Sequence, residues 1–138
     1  MRMVFVFPPT TLAATTALLD ATMPGGDEYW HDGQLQVEVD REDRSLGLFS
    51  DWEPEDVHRV EEALGYHPTW ALQVIVSGRI DGTDEIRAFA AQLLKNGGVA
   101  VDDYSDHCWT LEEIESDLKI DGLSFFDFRA HYAKYYAT

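Results

Sequence analysis

The chain has 138 residues, 45% hydrophobic and 12% aromatic, with 26 acidic against 10 basic side chains and a formal net charge of −16. This length and apolar content predict one globular domain, residues 1–138, that buries a core without disulfides or metals, and they exclude a disordered chain despite the charge. The charge argues against nucleic acid and against a membrane surface as partners, since both demand cationic side chains, and favours a basic protein.

The opening MRMVFVFPP is too short for a signal h-region, and no apolar run approaches the ~18 residues of a membrane span. Cys108 is the only cysteine. It cannot form an intrachain disulfide, which predicts a reducing, cytoplasmic location. Within the chain, MVFVF (3–7) predicts a buried strand stopped by Pro8-Pro9. Residues 10–22 predict a weak helix, capped by Thr10 or Thr11 and ended by Pro24-Gly25-Gly26. Residues 24–33 read as a polar loop around Tyr29, Trp30 and His31.

LQVEVD (35–40) alternates, with Leu35, Val37 and Val39 on one face, and predicts a half-exposed strand; LGLF (46–49) is its expected hairpin partner. Asp51 is placed to cap a helix with Pro54 in its first turn and Val57, Val60 and Leu64 at helical spacing, ended by Gly65. WALQVIV (70–76) predicts a central strand. Thr83 is placed to cap a helix whose stripe is Ile86, Phe89, Ala90, Leu93 and Leu94, closed by Asn96-Gly97-Gly98. A short strand at 99–101 follows. Thr110 and Glu113 form a capping box opening a short helix, and 124–136 predict an aromatic helical end segment. The order is β-α-β-β-α-β-α-β-α, and its first six elements, residues 3–76, match the split β-α-β arrangement of ferredoxin-like folds; a two-layer α+β domain is predicted, with helices on one face of a mostly antiparallel sheet.

The glycine pairs lack the spacing and the Lys-Ser/Thr of a phosphate loop, and no Gly-x-Ser-x-Gly elbow is present. The chemistry concentrates in VDDYSDHCW (101–109). Acids around Cys108 raise a thiol's pKa, which opposes nucleophilic catalysis and favours a half-buried packing role. Asp102 and Asp103 are a candidate acid/base pair, but neighbours on a strand diverge. Asp102, Asp106 and His107 are candidate metal ligands for a hydrolase, with His31, Asp32, His58, His67 and His131 as further donors in space; no calcium-loop pattern, helical His pair or cysteine set supports them, so no cofactor is expected.

A protein-binding reading uses more of the stretch. Residues 101–121 carry eight acids against Lys119 alone. Asp102, Asp103, Asp106, Glu112, Glu113 and Glu115 would supply charge, with Tyr104 and Trp109 as rigid aromatic anchors and Tyr29, Trp30 and Trp52 extending the patch. The aromatic tail 125–136 suits either core or an assembly contact, which leaves monomer and homodimer both open.

The segment GGVAVDDYSDHCWTLEEI (97–114), in a small acidic α+β chain, resembles the single-domain immunity proteins of bacterial toxin–immunity systems. That resemblance implies a non-enzymatic protein that binds one cognate toxin domain and blocks its active site or an exosite. No single named family is matched, so no family binding residue transfers. The expected function is therefore an immunity protein or antitoxin that neutralises a basic toxin, with a nuclease as the expected target; a metal-dependent hydrolase and a non-catalytic adaptor are the alternatives.

Overall fold

A computed structural model describes residues 2–43 and 47–136. The elements are β1 (Arg2–Phe7), α1 (Leu12–Thr22), β2 (Gly25–Gly26), β3 (Tyr29–His31), β4 (Leu35–Arg41), α2 (Pro54–Leu64), β5 (Trp70–Val76), α3 (Thr83–Leu93), β6 (Val99–Asp102), α4 (Leu111–Glu115) and α5 (Phe128–Tyr136). The strands form one antiparallel sheet in the order β2-β3-β4-β5-β1-β6.

Two split β-α-β units interlock in this sheet. β1 and β4 run parallel, joined through α1, with β5 inserted between them; β5 and β6 run parallel, joined through α3, with β1 inserted between them. This is the ferredoxin-like arrangement in an α+β domain, built from β1-α1-β4-β5-α3-β6 and not from the first six predicted elements, because residues 47–49 lie outside the sheet and α2 is not a crossover helix. Both crossover helices pack on the same face. There Val4, Val6, Leu72, Val74 and Val76 pack with Leu19 of α1 and with Ile86, Phe89, Ala90 and Leu93 of α3.

The period-2 alternation of β1 sends Phe5 and Phe7 to the reverse face. They form a second cluster there with Ala71, Val99 and Val101, roofed by Leu48, Phe49, Trp52 and Val60. α2 thus covers part of the reverse face, across the sheet from the layer formed by the crossover helices. Phe49 holds a left-handed backbone at φ 71°, which an aromatic residue adopts only when its surroundings hold it there. Its ring lies 4.9 Å from that of Trp52.

Several local expectations are corrected. The hairpin partner of β4 on its outer side is β3, not 46–49: Gly47–Ser50 are turn residues, and Leu46 lies outside the described residues. The 24–33 segment is a β-hairpin whose Trp30 is buried, its indole Nε1 donating to Asp20 at 2.8 Å. Helix α3 takes Gly82 as its N-cap, and Asp81 accepts from the Thr83 amide at 3.1 Å, so the capping carboxylate stands two residues before the threonine. The N-cap of α2 is Glu53, which makes no side-chain capping bond, so Asp51 does not cap. Gly65 ends α2 in the left-handed conformation as expected, and Thr11 caps α1 by accepting from the Ala14 amide. No helix among the described residues is long and apolar enough to cross a membrane.

Candidate functional site

VDDYSDHCW is a loop closed at its neck. β6 runs to Asp102, the chain turns back, and Trp109 pairs antiparallel with Ala100 through two backbone hydrogen bonds of 2.8 Å. The segment between is a compact surface loop with adjoining ends, tied together by its own side chains.

Asp102 ties it from inside. Its register opposite Val4 turns its side chain to the core face, where it is 5% exposed. Oδ1 accepts from the amides of Tyr104 (3.2 Å) and Ser105 (3.3 Å), and Oδ2 accepts from the amide of Phe126 (2.7 Å). Burial pushes the Asp102 carboxyl up from the ordinary aspartate range, against the pull of these donors. Ser105 Oγ accepts from the His107 amide at 3.3 Å. His107 Nε2 lies 3.0 Å from Glu113 Oε1, an oxygen that also accepts from the Thr110 amide, so the capping box of α4 anchors the loop's return arm.

The loop separates two hollows that share Asp103, Ser105 and Asp106. The first, about 270 Å³, lies between β6 and the start of α2. Phe5, Trp52, Val60, Val101 and Cys108 line its apolar part, and Asp51, Glu53, Asp56, Asp103 and Asp106 supply its acids. The second, about 510 Å³, is bordered by Tyr104, His107, Ile120, Asp121 and Tyr135. Arg59 is the only arginine or lysine among the residues lining either hollow. Its Nη1 lies 2.5 Å from Asp56 Oδ1 and 3.9 Å from Asp106 Oδ2.

Desolvation in this crevice raises the Asp103 carboxyl, and the Met3 amide that it accepts from works in the opposite direction. Burial pushes the Tyr104 phenol up to about 12 and the Cys108 thiol up to about 11, so both stay protonated at neutral pH. Cys108 is a half-buried member of the reverse-face cluster, as its acidic setting predicts, and it carries none of the depressed pKa of a nucleophile.

The eight residues expected to meet a partner divide sharply. Asp103, Asp106, Glu112 and Glu115 are exposed, and Tyr104 and Glu113 are half-buried. Asp102 and Trp109 are interior: Asp102 spends both oxygens on backbone amides, and Trp109 is fully buried between His107 (4.7 Å between ring centroids) and Phe125 (5.9 Å). The reason is the strand register and the Ala100–Trp109 pair, which turn both side chains inward. Glu112, Glu113 and Glu115 on α4 line neither hollow, and Glu113 is occupied by its cap and His107.

Of the aromatic extensions, Trp52 lies beside the loop. Trp30 is buried on β3, and β3 stands four strand spacings from β6, ~19 Å, which separates Tyr29 from the site. The tail splits: Phe125 and Phe126 are core, whereas Tyr132 and Tyr135 are exposed. Sequence reasoning missed the contribution of 51–56. The signal is DWEPED, an aromatic residue among four acids: Trp52 is expected in the patch, but Asp51, Glu53 and Asp56 are read only as part of a helix start.

The proposed ligand trio does not assemble. Asp102 faces inward onto amides, His107 is turned to Glu113, and Asp106 lies at the rim near Arg59. Among the described residues no three His, Cys, Asp or Glu side chains converge in a way that could hold a metal ion. The Asp102–Asp103 acid/base pair also comes apart, one residue buried and the other exposed. Compared with protein-family models, curated proteins and solved structures, the chain matches none.

Proposed function

We propose that this chain is a protein-binding inhibitor of the immunity-protein or antitoxin kind, which neutralises a basic toxin domain through the surface around Asp103 and Asp106. A nuclease is the target class that fits best, because its phosphate-binding face is basic by necessity and carboxylates can occupy it in place of phosphates. The observation that carries the reading is the meeting of acids from two distant segments, 51–56 and 103–106, around an apolar-floored hollow. Interfaces combine such a desolvated aromatic centre with a charged rim. Complementary charge also speeds encounter, to ~10⁸ M⁻¹s⁻¹ or more at low salt. The lone thiol fits action in the cytoplasm, as a monomer or homodimer.

The test is capture of partners from the source cell lysate at low salt, followed by measured binding of the purified partner. One basic protein, released by ~0.5 M salt, is expected. Asp103→Lys with Asp106→Lys should slow its association, whereas Glu112→Lys with Glu115→Lys should have a much smaller effect. Equal effects of the two pairs would defeat the assignment to the loop.

A further inference from the structure

We infer that the hollow between α2 and β6 is a slot for one arginine side chain of a protein partner. The inference rests on the reading of this chain as a binder of basic proteins, and specifies what enters the site. At about 270 Å³ the hollow is at or below the ~300–1,000 Å³ range of small-molecule pockets, a size that suits a single long side chain.

Its walls match the two halves of arginine. Phe5, Val60 and Val101 offer apolar surface for the methylene stem, and Asp51, Glu53, Asp103 and Asp106 offer carboxylates for the head. Trp52 supplies the feature that distinguishes arginine from lysine. Its indole is half-buried and held edge-on by Phe5 (5.2 Å between centroids) and Phe49 (4.9 Å), with Phe7 behind at 6.2 Å. A ring fixed in this way is a rigid platform for a flat, weakly hydrated guanidinium, which stacks on aromatics and pairs with carboxylates in a fork; a compact ammonium does neither as well.

Two of the hollow's acids, Asp56 and Asp106, already face a guanidinium from within the chain, that of Arg59, which lines the neighbouring hollow. Arg59 sits against Asp56 and within 4 Å of Asp106, so this set of carboxylates accepts the chemistry in question. Arg59 is 44% exposed and engages Asp106 only at 3.9 Å, which leaves that carboxylate able to turn to a closer donor.

The test titrates acetyl-Gly-Arg-Gly-amide into the ¹⁵N-labelled full chain and follows the Trp52 indole and the amides of 103–106, with lysine and citrulline peptides in parallel. A saturable shift at Trp52 is expected, with lysine ~3-fold or more weaker and citrulline silent. Trp52→Leu and Asp106→Asn should each weaken the arginine peptide about as much, and Glu112→Gln should not; Asp106→Asn alters a side chain 73% exposed and leaves the fold intact. Lysine binding as well as arginine, or shifts spread evenly over the acidic surface with Trp52 unmoved, would overturn the slot. A basic partner that depends on Asp103 and Asp106 but is indifferent to Trp52→Leu removes the slot and leaves the inhibitor reading standing. Arginine-peptide binding at Trp52 without any protein partner retains the slot and removes the inhibitor reading.

Discussion

The carboxylate of Asp102 accepts a hydrogen bond from the backbone amide of Phe126 at 2.7 Å, which joins the end of β6 to the segment leading into α5. Phe126 is fully buried and holds φ 57°, a conformation that costs a bulky residue energy and needs an external clamp. Asp102 is that clamp, and it serves the Tyr104 and Ser105 amides as well. Every one of these bonds uses it as acceptor. Asp102→Ala is therefore expected to cost ~2–4 kcal/mol, through buried amides left without partners. Asp102→Asn should also destabilise, because its NH₂ must face a donor. Urea unfolding measures both; an unchanged midpoint would show that the carboxylate does not hold Phe126. Loss of partner binding in these variants would report loss of structure, since Asp102 is only 5% exposed and both its oxygens are taken by backbone amides.

His67 predicts a pH dependence. Its Nδ1 lies 2.9 Å from Glu61 Oε2 and its Nε2 2.8 Å from Glu42 Oε1. A neutral imidazole can donate through only one nitrogen, so this geometry requires the imidazolium. The hydrogen bonds to Glu42 and then Glu61 raise the His67 pKa above its usual value of 6.5. A raised folded-state pKa means that the folded chain holds the proton more tightly, so the contribution is fully present below pH 6.5 and is lost as pH rises through the higher folded value. The clamp joins the segment after β4 to α2 at the surface, so the effect is modest and salt-sensitive. The melting temperature of wild type minus that of His67→Gln should be greatest near pH 6 and shrink toward pH 9. A difference constant over that range would sink the idea.

Thiol reactivity checks the walls of the hollow. With the Cys108 pKa pushed from 9.0 to about 11 by burial, the native thiolate fraction at pH 8 is about two orders of magnitude below that of the unfolded chain. Disulfide-exchange reagents should label native Cys108 far more slowly than urea-unfolded protein, and the native rate should still be rising with pH above 9. Fast labelling at neutral pH would mean that the thiol is neither buried nor surrounded by acids as described.

Local order was the legible part of this chain. The alternation in 35–40, the apolar run 70–76, the stripe of α3 and the capping box at Thr110 depend on neighbours in sequence, and each formed as its pattern indicates. The fold class followed from the alternation of helices with strands; the second crossover did not, because it runs through α3 and not through the helix at 54–64. The assignment of strands within it did not follow. Trp30 and its flanks read as loop because three residues among polar neighbours carry no period, and only pairing with β4 makes them a strand. At the candidate site, the composition of 101–109 singled out the loop but not its orientation. Whether Asp102 faces the core or the solvent depends on its register with Val4, which is a long-range fact. The contribution of Asp51 and Glu53, and the place of Trp52, were illegible for the same reason: only the packing of 49–56 over Phe5 and Phe7 brings them to β6.

The Thr110 capping box connects helix stability to the shape of the 102–109 loop. Thr110 Oγ1 accepts from the Glu113 amide at 3.2 Å, Glu113 Oε1 accepts from the Thr110 amide at 2.9 Å, and the same oxygen meets His107 Nε2 at 3.0 Å. A five-residue helix has little propensity of its own, so its start depends on this cap. Thr110→Ala is expected to cost ~1 kcal/mol. Burial alone would raise the Glu113 carboxyl, but the Thr110 amide and His107 outweigh it and hold the pKa below its usual 4.5. A depressed folded-state pKa contributes stability that is present above pH 4.5 and lost as pH falls through the lower folded value. Wild type and Glu113→Gln should therefore differ most at neutral pH and converge as the pH falls below 4.5, as measured by urea midpoints across that range. The amide resonances of 103–107 should broaden in Thr110→Ala at neutral pH, because the return arm loses its anchor. A variant with full stability and an unaltered loop would show that Glu113 holds His107 without help from the cap.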